Sequence, residues 1–317
     1  MLDAARQEVA DSADTIVVKV GTRALTHPDG ALDLGQIESL ASQVAQLMSG
    51  GRRVVLVSSG AVGAGIGRLG LTQRPTDLAQ LQAAAAVGQS RLIECYNQAL
   101  QQHGRCAAQV LLTADDLNDR RRYLNTRNTL RAIFDYGAAP IVNENDTVRV
   151  DELQRSVGDN DRLAAMVTNL LRAPLLVLLS DVEGLYDKPP DRPGARVLPL
   201  VDQIDERVLA LAGVVSRDGI QLSTGGMASK LLAAQSATAA GENVIIANGR
   251  RRDVLLEILR GEVVGTLFIP SGAAVKSRKR WIGWTAQPVG KIVVDAGAER
   301  AIVESGGSLL AVGVTGV

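Results

Sequence analysis

The sequence predicts an α/β fold: a three-layer α/β/α sandwich around a mostly parallel central sheet, followed by a small β-rich C-terminal module. Three observations carry this. Short runs rich in Val, Ile and Leu are apolar throughout rather than at every second position, as strands covered on both faces are. Helix-length segments separate these runs, and such alternation implies right-handed crossovers between parallel strands. Near residue 270 both patterns stop, and a stretch of turn formers and charge begins.

Taken in order, TIVVKVG (15–21) is the first strand and 34–49 the first helix. RRVVLVSSG (52–60) follows as a strand, then an Ala-rich helix over 77–102. CAAQVLLT (106–113), a helix over 126–136, APIVNEN (139–145) and a helix over 160–172 continue the alternation. PLLVLLSD (174–181), a helix over 227–240 and NVIIANG (243–249) complete it. PSGAAVKSRKR (270–280) reads as a linker, and WIGW, GKIVVDAG, AERAIVESG and SLLAVGVTGV suggest short strands and turns. The division is therefore 1–272 and 273–317. The second part is small for an independent core, so it is expected to be an incomplete module.

Composition excludes several functions. The chain has 317 residues, 46% of them hydrophobic, which suits a sizeable core, but aromatics are only 3%, so stacking surfaces for bases are scarce. Lys+Arg 34 balances Asp+Glu 34, leaving no global field to recruit nucleic acid or membrane. The local RKR at 278–280 reads as solvated surface. Cys95, Cys106, His27 and His103 have no metal-ligand spacing, so no protein metal site is expected. The N-terminal MLDAARQEVADSAD is acidic and lacks the apolar core of a signal peptide. The longest apolar run, LLVLL (175–179), is too short to cross a bilayer. A soluble, cytoplasmic protein is expected.

In doubly wound sheets ligands bind beyond the carboxyl ends of the strands. The unusual polar residues gather there: Lys19, Gly21 and Thr22; Ser58, Ser59 and Gly60; Asn143, Asn145 and Asp146; Ser180 and Asp181. Lys19 interrupts an apolar run and needs an anionic partner, either a ligand phosphate or an internal carboxylate. GAVGAGIG (60–67) is either a flexible turn or a backbone cradle for an anion. It is not a dinucleotide fingerprint, because Ile66, Gly67 and Arg68 break the G-x-G-x-x-G spacing. STGGMASK (223–230) places two glycines and Lys230 at a helix start, which suits phosphate but also suits an ordinary helix with a solvated lysine. NEND (143–146) and GDND (158–161) crowd carboxylates and carboxamides between a strand and a helix, as an amino-acid site requires, although Asp and Asn also serve as turns and caps.

VVKVGT, VSSGAVGAG, NENDTV, GDNDRLAA, LLSDVEGLYD and STGGMASK, in this order and spacing over roughly residues 14–270, resemble the glutamate 5-kinase family of the amino acid kinase superfamily. WIGW to SLLAVGV resembles the beginning of a PUA domain. The resemblance implies the amino acid kinase fold, with ATP and Mg²⁺ used to phosphorylate the side-chain carboxylate of L-glutamate to L-glutamyl 5-phosphate. It implies that Lys19 and Lys230 hold ATP phosphates while Asp161 orients them. Gly21, Ser180 and Asp181, with Thr224, Gly225, Gly226, Met227, Ala228 and Ser229, would surround the nucleotide. Ser59, Gly60, Asp146 and Asn160 would bind glutamate. It further implies the first step of proline biosynthesis, feedback inhibition by proline, a homo-oligomer (dimer or tetramer) and channelling to glutamate-5-semialdehyde dehydrogenase. Arg23 departs from the family's usual serine, and Ser180 from a more usual threonine. The rival readings are a kinase for another acid on the same fold and an RNA-binding protein, the latter opposed by neutral charge and few aromatics.

Overall fold

The structure, a computed structural model, describes residues 2–27, 30–148, 159–212, 226–270, 292–303 and 308–316. The chain divides into two compact units, Met1–Thr285 and Ala286–Val317. That division and the one expected after 272 both fall within 271–291, outside the described residues.

The first unit is built on one eight-stranded sheet. Its strands are β1 (Thr15–Val20), β2 (Arg53–Val57), β3 (Ala107–Leu112), β4 (Ala139–Glu144), β5 (Leu175–Ser180), β6 (Leu200–Val201), β7 (Asn243–Asn248) and β8 (Thr266–Phe268), in the order β3-β4-β2-β1-β5-β7-β8-β6. All described pairings are parallel except β7 with β8. The chain runs from β1 to β2 on one side and later returns to place β5 on the other. The carboxyl end of β1 is therefore the switch point where α/β sheets open a crevice.

Helices cover both faces. Along β1, Ile16, Val18 and Val20 pack into a layer with Leu40 and Val44 of α3 (Leu34–Ser49) and Leu92 and Tyr96 of α5 (Leu78–Gln101). Val17 points the other way, with Val167 of α8 (Asp159–Leu171) and Leu231 and Ala234 of α10 (Met227–Ala239). Strand side chains alternate, so Lys19 shares the face of Val17 and is delivered to α8 and α10 rather than to solvent.

The six long strands and the helices at 34–49, 77–102, 160–172 and 227–240 lie where the sequence places them, within three residues. Three features differ. Ala61–Arg68 is a helix, α4, rather than a turn or cradle. Helix α7 begins at Arg120, six residues early, because the Asp119 side chain accepts from the Arg122 N–H and starts the helix before any apolar periodicity appears. In the second unit the AERAIV part of AERAIVESG is not strand-like: Ala296–Val303 is a helix whose entry is capped by Asp295 accepting from the Ala298 N–H at 2.7 Å, and the ESG that follows lies outside the described residues. Among the described residues the β-rich expectation is met there only by the antiparallel pair Val293–Val294 and Val314–Gly316, and WIGW lies outside them. The sequence reading also left unassigned α1 (Leu2–Ser12), α6 (Ala114–Asn118) and the short edge strands β6 and β8. Among the described residues no helix is long and apolar enough to cross a membrane.

Candidate active site

The amino ends of α8 and α10 both face the carboxyl end of β1, because parallel crossovers start each helix where its strand finishes. Asp161 lies in the first turn of α8 and Lys230 in the first turn of α10. Lys19 Nζ is 2.6 Å from Asp161 Oδ1, and Lys230 Nζ is 3.5 Å from Asp161 Oδ2. Ser229 Oγ lies 2.7 Å from Asp161 Oδ2 and 3.0 Å from the Gly226 carbonyl, so its one hydrogen serves either. Lys230 Nζ also donates to the Gly226 carbonyl at 3.2 Å. Gly226, with φ at 86°, precedes α10 in a left-handed conformation that glycine adopts without strain.

All three charged groups are buried, with Asp161 only 1% exposed. Burial alone would raise the Asp161 carboxyl, but Lys19, Lys230 and the Ser229 hydroxyl hold it below the usual carboxylate range. Burial lowers the Lys230 ammonium; Asp161 opposes this and the Lys19 charge adds to it. The cluster carries two cations on one carboxylate, and a buried surplus of charge is costly without a ligand to balance it.

One residue earlier on α8, the chemistry changes from charge to amide. Asn160 Nδ2 is 3.0 Å from the Ser58 carbonyl, 3.1 Å from Ser59 Oγ and 3.1 Å from Asn143 Oδ1. Asn143, at the end of β4, in turn donates through Nδ2 to Gln89 Oε1 at 2.7 Å and accepts from the Glu144 N–H at 2.9 Å. Oxygens surround Asn160 Nδ2, which fixes the amide's orientation. Its Oδ1 is buried without a partner among the described residues. What Asn160 still offers is an acceptor. Beneath it, Ser58 Oγ donates to Tyr96 Oη at 3.1 Å, and burial pushes the Tyr96 hydroxyl up to about 12.

At the end of β5, Ser180 Oγ donates to Asp181 Oδ1 at 3.1 Å, and the exposed Arg23 guanidinium meets Asp181 Oδ2 at 3.1 Å. Burial would raise the Asp181 carboxyl; these donors hold it below its ordinary value. The arginine that departs from the family's serine thus pairs with a residue expected to line the nucleotide pocket. Gly21 backs onto the cation cluster, since a Cβ there would lie 3.6 Å from Lys19 Nζ and 3.3 Å from the Leu179 carbonyl.

The structure therefore joins Lys19, Asp161, Gly226, Ser229 and Lys230 in one cluster, and Ser59 with Asn160 in another. Gly60 caps α4 beside Ser59. Asp146 is half-buried and opens the one-turn helix Asp146–Val148 directly after β4. Met227 is partly buried, and Ala228 is fully buried in the first turn of α10. Thr224 and Gly225 lie outside the described residues.

Sequence reasoning missed Gln89. Its signal was a carboxamide on the buried stripe of α5, beside Ala85, Gly88 and Leu92. It also misjudged GAVGAGIG. A Cβ on Gly65 would lie 1.7 Å from the Ala84 carbonyl oxygen, and one on Gly88 1.8 Å from that of Ala61. These glycines let α4 and α5 cross backbone to backbone; they are packing residues.

The model of the amino acid kinase family matches residues 14–248. Glutamate 5-kinase of Rhodopirellula baltica is 48% identical over 311 residues, covering 98% of this chain and 79% of that protein. Glutamate 5-kinase of Syntrophus aciditrophicus is 45% identical over 313 residues, covering 98% and 80%. Among solved structures, carbamate kinase from Giardia lamblia bound to AMP-PNP superposes with a TM-score of 0.56 at 20% identity, over 80% of this chain and 98% of that one. UMP kinase from Bacillus anthracis gives 0.53 at 14%, over 83% and 98%. At such identities these two show the fold alone. The family match over most of the chain, and the identity to curated relatives along nearly its whole length, place the chain in the amino acid kinase family, among the glutamate 5-kinases.

Proposed function

We propose that the chain transfers the γ-phosphoryl group of ATP to the side-chain carboxylate of L-glutamate, giving L-glutamyl 5-phosphate and ADP, the first step of proline biosynthesis. The observation that carries this reading is the buried Lys19–Asp161–Lys230 cluster, which holds more positive than negative charge at the carboxyl end of the central strand.

The nucleophile is already an anion, so no general base is required. A carboxylate oxygen forms a bond to the γ-phosphorus as the bond to the β–γ bridging oxygen breaks and ADP leaves. Catalysis then consists of holding two anions in line and neutralising the charge on the transferring group. Lys19 and Lys230 supply the positive charge, and Asp161 fixes both ammonium groups so that neither reorganises during transfer. Both Asp161 oxygens are engaged, so a Mg²⁺ ion would arrive with the nucleotide and draw on phosphate and water oxygens, screening their charge.

Gly21, Ser180, Asp181 and the segment Thr224–Ser229 surround the nucleotide. Ser59, Gly60, Asp146 and Asn160 hold glutamate: Asp146 and Asn160 Oδ1 accept from the ammonium, and helix N–H groups receive a carboxylate. The family reading extends the proposal to inhibition by proline, a homo-oligomer and handover of the acyl phosphate to glutamate-5-semialdehyde dehydrogenase. It also keeps the division at 272, with a PUA-like part beyond.

A coupled assay of ADP release with glutamate, aspartate and N-acetylglutamate as acceptors tests the reading. Turnover should require glutamate. Preference for either other acid would overturn the substrate assignment, and release with none of them the reaction itself.

A further inference from the structure

Arg23 stands two residues after Gly21, in the one-turn helix α2 (Thr22–Leu25) that follows β1. Its backbone is held in place. The Arg250 guanidinium donates to the Arg23 carbonyl at 3.1 Å and to the Thr26 carbonyl at 2.7 Å, and lies 3.2 Å from Asp33 Oδ2. Its side chain is 85% exposed and makes one polar contact among the described residues, from Nη1 to Asp181 Oδ2 at 3.1 Å. Asp181 follows β5, the parallel neighbour of β1, and its charge reaches Lys230, where it favours the ammonium form. Gly21 in turn backs onto Lys19 Nζ. Arg23 is thus rooted between the two strand ends that carry the phosphate lysine and the nucleotide-pocket carboxylate.

Two anions compete unequally for such a guanidinium. An ion pair this exposed contributes little, because water and salt screen it and ordering the long side chain costs entropy. On a polyphosphate, a guanidinium makes two parallel charge-assisted bonds, each roughly twice as strong as a neutral one. Asp181 is therefore a weak resting place that a polyphosphate outcompetes.

We propose that Arg23 is a third cation for the nucleotide polyphosphate, resting on Asp181 in the free protein and passing to phosphate oxygens when ATP binds. This rests on the proposed kinase reading. Lys19 and Lys230 are buried and fixed by Asp161; Arg23 adds an exposed charge that follows the ligand.

The test uses the full-length protein and its Arg23→Gln, Arg23→Lys, Asp181→Asn and doubly substituted Arg23→Gln/Asp181→Asn variants. Calorimetric titration with ATP and with ADP reads binding, and steady-state assays read the glutamate KM. Arg23→Gln should weaken both nucleotides about tenfold, the scale of one hydrogen-bonded charge contact, and leave the glutamate KM within about twofold. Arg23→Lys keeps the charge without the paired donors and should fall between. Asp181→Asn separates phosphate binding from mere cancellation of the carboxylate. If Arg23 only neutralises Asp181, the Arg23→Gln penalty vanishes once that carboxylate is gone. If it binds phosphate, the penalty persists and grows, because Asp181 no longer competes for the guanidinium. Nucleotide binding unchanged in Arg23→Gln, or a penalty lost in the Asp181→Asn background, would overturn the proposal. A wild-type protein whose ATP affinity depends on Arg23 but which does not phosphorylate glutamate would support it and refute the acceptor instead. A wild-type protein that binds no ATP would refute both.

Discussion

Asp161 and Asn160 are neighbours on one helix turn, yet each belongs to a different kind of chemistry. Asp161 is held by cations from β1 and α10. Asn160 is held by neutral oxygens from the ends of β2 and β4. A helix advances about 100° per residue, so consecutive side chains enter different surroundings. The difference teaches how a small chain stretch could serve two ligands: in the proposed reaction, fixed charge would face the group whose charge spreads during transfer, and neutral amides would face a zwitterion that needs orientation.

The largest way to break this comparison is to remove a cation. Lys19→Met and Lys230→Met should each lower kcat on the order of 10²–10³-fold, the usual cost of one preorganised donor to a developing anion. Circular dichroism should report a folded protein in both. Near wild-type turnover in either would remove that lysine from the phosphoryl site.

A smaller effect is in pH. The Lys230 ammonium lies below its ordinary 10.5, so it discharges earlier than a surface lysine as pH rises. The alkaline limb of kcat/KM, which reports the free enzyme, should therefore begin below that value, and Lys230→Arg, which stays charged, should move the limb upward. Stability should not fall with this proton. A lysine whose folded value is depressed is penalised while charged, so discharging it relieves the fold. An alkaline limb unmoved by the arginine would assign it to another group.

The parallel sheet was legible because its strands are apolar on both faces, and Lys19 stood out as the exception. That Asp161 of α8 and Lys230 of α10 meet it was implied only by the family resemblance, since no strand order could be read from the sequence. What could not be read were contacts made by closeness rather than pattern. The glycines of α4 announce a turn or cradle in sequence, and only the facing Ala84 and Gly88 of α5 show that they serve a backbone crossing. Gln89 sits far in sequence from Asn143 and Asn160, and one carboxamide on an Ala-rich helix gives no hint of its partners. The direction of the Asn160 amide follows from three oxygens delivered by two other strand ends, which no local spacing encodes.

The central claim is that α8 divides its first turn between phosphoryl transfer and substrate orientation. Steady-state kinetics of Asp161→Asn and Asn160→Ala, with glutamate and ATP varied separately, test it most directly. Asp161→Asn should lower kcat on the order of 10²-fold with little change in the glutamate KM. Asn160→Ala should raise the glutamate KM about tenfold and leave the ATP KM within about twofold. The same pattern in both variants, or the two patterns exchanged, would contradict the division.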